Sequence, residues 1–244
     1  MKKIISLLLV LTLMLGLAAC GGSNNETTPG GNPPAETQDK GGTAEQTQPK
    51  TEDKQPTVSG EITEELLRSW PEAPVSDFTY ERSVDYEGIR VMKYLGNDEI
   101  VVVPAEIEGQ PVVEVAGYCF ANDSTVRSVV IPETVIASKE IFINNSCVEI
   151  VIAEGLQDVG YATFLNCGNL REVILGDNVT HVGISAFAVC GKLEKLVLPA
   201  TLTGMKDPER FSAFSECPNL TIYGEAGSYI ETVANEQGIP FVAE

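Results

Sequence analysis

The chain is 244 residues long and carries 35 Asp and Glu against 16 Lys and Arg, a formal net charge of −19. That length allows one or two domains. The acid excess argues against nucleic acid, whose phosphates need a basic face, and against lying flat on anionic lipid; it suits an exported protein that stays soluble.

The first residues read as a processing signal. Lys2 and Lys3 form a positive start, Ile4 to Leu15 is almost unbroken apolar, and Leu17-Ala18-Ala19-Cys20 follows. So short an apolar span, followed by Gly21-Gly22-Ser23, makes a poor transmembrane helix. The Leu-Ala-Ala-Cys order resembles the lipobox of bacterial lipoproteins. The resemblance implies that residues 1–19 are a signal peptide and that Cys20 becomes a lipidated N-terminus held in the cell membrane by acyl chains. Residues 20–60 hold Gly, Asn, Thr, Pro, Glu, Gln and Lys with almost no large apolar side chain. They cannot offset chain entropy by burial and are expected to be a disordered linker. Its typical span is roughly 35 Å.

Residues 61–77 are expected to be a short helix and an extended link. Thr63 can cap, Glu64 and Glu65 suit the N-terminal dipole end, and Pro71 stops the helix. Leu66, Leu67 and Trp70 would share its apolar face. Phe78 to Arg82 and Gly88 to Tyr94 alternate like two strands of a hairpin that would cover the first repeat.

Residues 78–244 are organised by a repeat. Phe120, Phe142, Phe164, Phe187 and Phe214 recur at intervals of 22 to 27, the period of a solenoid. Apolar runs at Ile100 to Val103, Ser128 to Ile131, Glu149 to Ile152, Glu172 to Leu175 and Lys195 to Leu198 read as stacked strands. Shorter inward pairs follow, such as Leu156/Val159 and Val179/Val182; the Val135 copy has Ser138 in the partner slot. The Phe142 copy reads as one residue short, with Cys147 in the slot that Leu170 and Leu193 occupy elsewhere. Lys206 to Arg210 reads as a surface bulge. Ser228 to Gly238 reads as a closing helix with Ser228 and Glu231 as a capping box, Gly238 as the stop and Tyr229, Val233 and Ala234 docked on the last coil. Ile239 to Val242 would add a final strand.

The pattern Ala-Phe-x-x-Cys-x-x-Leu-x-x-Val-x-Leu/Ile-Pro, best seen at Thr163 to Gly176 and Ala186 to Pro199, resembles the BspA-type bacterial leucine-rich repeat. The resemblance implies a mainly β, right-handed leucine-rich-repeat solenoid of about five repeats with short helices, an N-terminal hairpin cap and a C-terminal helical cap. It also implies a binding or adhesion role toward host or matrix proteins.

Nothing in the residues specifies a reaction. His181 is the lone histidine, so a Ser-His-Asp or Cys-His triad would have to use it. No cofactor, metal-ligand pair or phosphate loop is expected. Cys119, Cys147, Cys167, Cys190 and Cys217 read chiefly as small apolar core thiols, with bridges possible after export. The informative positions are those between the core slots. Strand alternation turns Val102, Val130, Val151, Ile174 and Val197 outward, beside Glu149, Glu172 and Lys195. These residues form the candidate binding face. Its partner would be an extracellular protein or polysaccharide; the stripe could instead seat a second copy of the chain or the 62–70 segment. A structural envelope component is the alternative function, and an acid-using hydrolase the third.

Overall fold

The computed structural model describes residue 58, residues 60–205 and residues 212–244. The signal, Cys20, nearly all of the linker and the Lys206 to Arg210 bulge lie outside the described residues.

The described residues open with helix α1 (Glu64–Ser69) and an antiparallel hairpin, β1 (Phe78–Arg82) and β2 (Ile89–Tyr94). Coils then follow, each contributing a strand to a large sheet. In chain order these elements are β3 (Ile100–Val102), β4 (Glu106–Ile107), β5 (Gln110–Val115), β6 (Ser128–Val130), β7 (Ala137–Ser138), β8 (Ile150–Ala153), β9 (Asp158–Val159), β10 (Glu172–Leu175), β11 (His181–Val182), β12 (Lys195–Val197), β13 (Gly204–Met205) and β14 (Thr221–Gly224). Helix α2 (Tyr229–Gln237) and strand β15 (Phe241–Ala243) close the array. The large sheet is wholly parallel, in the order β15-β14-β12-β10-β8-β6-β3. A small parallel sheet, β13-β11-β9-β7, runs along another side. The expected solenoid is thus present. It has one more strand-bearing coil than the five strands read from the sequence, because Thr221–Gly224 also joins.

Each coil is apolar on one side only and is buried by its neighbours. The five repeat phenylalanines stack with centroids 5.4, 5.2, 5.2 and 5.9 Å apart. The hairpin extends this column, because Tyr94 lies 5.8 Å from Phe120 and Phe78 lies 5.2 Å from Tyr94. Three residues after the Phe, Cys167, Cys190 and Cys217 each donate a thiol hydrogen bond to the preceding coil's Phe carbonyl, at 3.2, 3.1 and 3.0 Å. Asn145 does the same at 2.9 Å through its amide. All five described cysteines are free. Burial pushes the Cys119 and Cys167 thiols up to about 12. Ser138, the odd residue in an apolar slot, is satisfied by the Thr163 hydroxyl at 3.1 Å.

Close stacking restricts the turns. A Cβ on Gly160 would stand 2.0 Å from the Ser138 carbonyl oxygen, and one on Gly183 would stand 2.6 Å from the Gly160 carbonyl carbon. Two turn positions adopt positive φ, the first in four of the coils and the second in all five. Two residues before the Phe they are Tyr118, Glu140, Ala162 and Ser185; two after it, Asn122, Asn144, Asn166, Val189 and Glu216. Asn tolerates this conformation, whereas a β-branched Val such as Val189 adopts it only at a strain cost.

The ends differ from expectation in detail. Glu231 accepts the Gly227 N–H at 2.6 Å, and the Ser228 hydroxyl makes no cap, so the capping box is incomplete. Ile230, with Val233 and Ala234, docks on the last coil, while Tyr229 is exposed. Gly238 ends the helix at φ 69°, as expected.

Val189→Asn should stabilise the protein by roughly 1 kcal/mol, because the left-handed backbone is retained and the β-branched strain is removed. A thermal or urea midpoint that falls instead would show that Val189 packing outweighs its backbone cost.

Candidate recognition face

The outward side of the large sheet carries two columns. Inter-strand register places Ile100, Ser128, Ile150, Glu172, Lys195 and Thr221 in one. Val102, Val130, Ile152, Ile174, Val197 and Tyr223 form the other. Val102, Val130, Ile174 and Val197 therefore share a column and are half-buried, and Glu172 and Lys195 are neighbours in the first column.

Val151 is not on this face. It is 0% exposed and sits in register with Val129 and Val173, inside the core. The cause lies at the start of its coil. Asn145 accepts the N–H groups of Cys147 and Val148, both at 2.9 Å, while its own amide holds the Phe120 carbonyl. Val148 then fills the slot six residues after the Phe, like Val126, Leu170 and Leu193, and Cys147 lies one residue outside it. No residue is missing from this copy. The shortened copy is the last, in which Ile222 pairs with Leu196 only eight residues after Phe214. A slip of one residue exchanges the faces of a strand, so Ile150 and Ile152 point outward in place of Val151.

The same correction moves Glu149. It belongs to a column just before the strands, Glu99, Arg127, Glu149, Arg171 and Glu194, linked coil to coil by backbone hydrogen bonds. Arg127 bridges Glu99 at 2.9 Å and Glu149 at 2.8 Å, and Arg171 reaches Glu149 at 3.3 Å. Arg127, Glu149, Arg171 and Glu194 each stand seven after a repeat Phe, a count visible in the sequence once the Asn145 coil is read in register.

Half of the outward face is already occupied by the chain itself. Helix α1 lies on it and forms a second apolar cluster, in which Ile62 and Leu67 bury Ile100, Ile150 and Ile152. Leu66 and Trp70 pack at its edge, with Val130 and Ile174. Thr63 caps the helix by accepting the Leu66 N–H. Arg68 grips Glu154 with two hydrogen bonds, at 3.0 and 2.7 Å, and also holds Glu64. Beyond the helix, Ala73 donates to the Val102 carbonyl at 2.8 Å and Glu72 bridges to Val102, which covers the β3 edge. The 61–77 segment is thus part of the folded module.

The other half lies beyond α1, and of its described apolar residues only Ile174, at the border, packs against the helix cluster. Ile174, Val197 and Tyr223 make an apolar stripe beside Glu172, Lys195 and Thr221. Lys195 pairs with Glu172 at 3.8 Å and lies 5.8 Å from the centre of the Tyr223 ring. Tyr223 escaped the sequence reading because its coil is a residue short; counting back from the Thr221–Gly224 strand would have found it.

Elsewhere, His181 is exposed and its Nδ1 meets the Thr180 hydroxyl at 2.9 Å. Among the described residues no group of three or more His, Cys, Asp or Glu could hold a metal ion. No described helix is long and apolar enough to cross a membrane.

Fold and face define a leucine-rich-repeat solenoid. Residues 106–222 match, in six copies, the family described as BspA type Leucine rich repeat region. Among solved structures, the chain is similar to a leucine-rich repeat protein of T. pallidum: 27% identity, TM-score 0.58, covering 63% of this chain and 71% of that one. It is also similar in fold to a leucine-rich repeat protein from Bacteroides ovatus: 22% identity, TM-score 0.51, covering 62% of this chain and 40% of that one. No curated protein matches the sequence.

Trp70 is the chain's single tryptophan, so its fluorescence reports α1 alone. Leu67→Asp should shift its emission to the red at neutral pH while the β-sheet circular dichroism is retained. Arg68 holds the Glu154 carboxyl below its ordinary value of 4.5. A lowered pKa contributes stability that is present above the ordinary value and lost as pH falls through the folded one. An acid titration of Trp70 emission should therefore show a transition below pH 4.5. Glu154→Gln should remove that component, worth up to about 1 kcal/mol for so exposed a pair. Identical acid titrations for wild type and variant would mean that the ion pair does not hold the helix.

Proposed function

We propose that this protein is a non-catalytic recognition module, displayed outside the cell and tethered to the membrane through a lipidated Cys20. Its open half-face, Glu172, Ile174, Lys195, Val197, Thr221 and Tyr223, is the surface for an extracellular protein or polysaccharide. The observation that carries this reading is the asymmetry of one sheet. The first half of its outward face is closed by the chain's own α1, and the second half presents an apolar stripe, bordered by Ile174 at the helix cluster, beside a charged pair whose side chains are 48% and 31% exposed. Exposed apolar stripes rimmed by polar residues mark interaction sites. Solenoid faces serve as extended binding surfaces. The match to BspA-type repeats and the similarity to leucine-rich repeat proteins support a binding protein over an enzyme.

A second reading, self-association, is favoured by one feature. Strand β15 is the last strand of the large sheet, and Val242 on it is exposed. An unpaired edge is a template for another strand.

The face is tested with the full chain against immobilised matrix proteins and glycans. Val197→Lys combined with Tyr223→Lys should weaken binding at least tenfold, while Val84→Lys, on an exposed turn, should not. Equal binding by wild type and the face variant would remove this surface from consideration. Light scattering at high concentration checks the second reading; a strict monomer counts against it. For the tether, Cys20→Ser should release the protein into the medium or leave it unprocessed, and unchanged membrane retention would rule the lipid anchor out.

A further inference from the structure

The three cysteines that follow the repeat phenylalanines form a file along the stack. Cys167, Cys190 and Cys217 lie on consecutive coils, and each donates its thiol to the preceding coil's Phe carbonyl, at 3.2, 3.1 and 3.0 Å. Equivalent donors on equivalent acceptors turn every thiol of the file toward the coil before it. The backbone keeps the last two members in register. Phe187 donates its N–H to the Ala213 carbonyl and Val189 donates to the Ser215 carbonyl, both at 2.8 Å. The Phe187 and Phe214 rings of the same two coils are 5.9 Å apart. Coils at strand spacing stand about 5 Å apart. A disulfide spans a Cα separation of roughly 4.4 to 6.8 Å.

The file is not uniform. Cys167 and Cys190 are buried, whereas Cys217 is partly exposed. Cys217 borders a groove of about 820 Å³, beside Glu216, Pro218, Gln237 and Ile239. The hydrogen bond between Cys190 and Cys217, together with burial, raises the Cys190 thiol. The same hydrogen bond draws Cys217 below its ordinary value, because it favours the ionised sulfur. A thiol reacts as its thiolate. The member of the file that solvent reaches is therefore also the one that ionises most readily, and a second thiol stands next to it. No other described cysteine combines these features. Cys147 is partly exposed, but Asn145 holds the file position on its coil. Cys119 is buried and lies outside the file, just before Phe120.

We propose that Cys217 and Cys190 are a redox-active dithiol that a low-molecular-weight disulfide closes into a bridge between the last two phenylalanine coils. The Cys217 thiolate attacks one sulfur of that disulfide. The reagent's S–S bond breaks, and one thiolate leaves and takes up the proton that Cys217 released. The Cys190 sulfur then attacks Cys217 in the mixed disulfide, and its proton passes to the second departing thiolate. Two protein thiols are oxidised, and one small disulfide is reduced to two thiols. The bridge closes the loop from 190 to 217 and fastens the last coil to the one before it. The proposal makes no use of the outward face, so it stands or falls apart from the recognition reading.

The test treats the full chain with 2-hydroxyethyl disulfide at neutral pH, digests it without reduction and maps the peptides by mass spectrometry. A linked Cys190–Cys217 peptide is expected, formed at least tenfold faster than any product at Cys119 or Cys167. Cys190→Ser should instead trap the reagent on Cys217, because no second thiol displaces it. Cys217→Ser should slow modification of Cys190 at least tenfold, and Cys147→Ser should leave the linked peptide unchanged. Serine keeps a donor for the Phe carbonyl, and thermal melts of the reduced variants that match wild type exclude misfolding as the cause. Oxidised wild type should melt several degrees above the reduced form, because the bridge restricts the unfolded chain. An unmodified Cys217, a mixed disulfide that persists on Cys217 in wild type, or a Cys167–Cys190 bridge overturns the proposal. So does an oxidised form that melts below the reduced one, which would mean that the two coils close only under strain.

Discussion

The structure depends on one constraint: no coil can bury its own apolar side. Each must sit at strand spacing from the next, and every feature of the core follows from that distance. The phenylalanine column fits because rings stacked 5.2 to 5.9 Å apart fill the gap between coils. The column beside it needs a small residue that can donate to the neighbouring carbonyl, which is why Cys and Asn share that slot. The turns need Gly wherever a Cβ would enter the next backbone. The ends need covers, so the hairpin supplies Phe78 and Tyr94 at one end and α2 supplies Ile230, Val233 and Ala234 at the other.

A repeat tied this closely to packing carries little specificity in its recurrent residues. What varies is the outward columns, and there the chain changes character along its length. The first column runs Ile100, Ser128, Ile150 and then Glu172, Lys195, Thr221. Helix α1 covers the apolar part and stops where the charges begin. Laying Ile62 and Leu67 on Glu172 and Lys195 would strip water from a charged pair without replacing its hydrogen bonds. The segment leading into the helix meets the neighbouring charged column at the rim, where Glu61 reaches Arg171 at 3.6 Å. The boundary between covered and open face is thus written in the sheet as well as in the helix.

Period and patterning made the solenoid, its hairpin and its closing helix legible, because 22-residue spacing and strand alternation are strong signals. They were less reliable where register hung on a single polar residue. Asn145 stands in a Cys slot, and Cys147 resembles a core thiol, so counting apolar residues alone shifts the strand by one and turns Val151 outward. The hydrogen bonds of Asn145 settle the register, and these depend on the neighbouring coil. The seat of α1 was open for a related reason. Leu66, Leu67 and Trp70 show that a short helix has an apolar face, but only the packed sheet shows that Ile100, Ile150 and Ile152 complete it.

The same distinction bears on the turn tyrosines. Four coils take a positive φ two residues before the phenylalanine, at Tyr118, Glu140, Ala162 and Ser185. This geometry does not dictate which side chain stands there. Ala162 shows that a small residue suffices, and Tyr118 stays 55% exposed, outside the core. An aromatic residue in left-handed backbone carries a cost of about 1–2 kcal/mol, and here no core contact offsets it. The scaffold therefore explains the backbone at Tyr118, and what its ring adds is a hydrogen bond to the Glu140 carboxylate on the next coil rather than core packing.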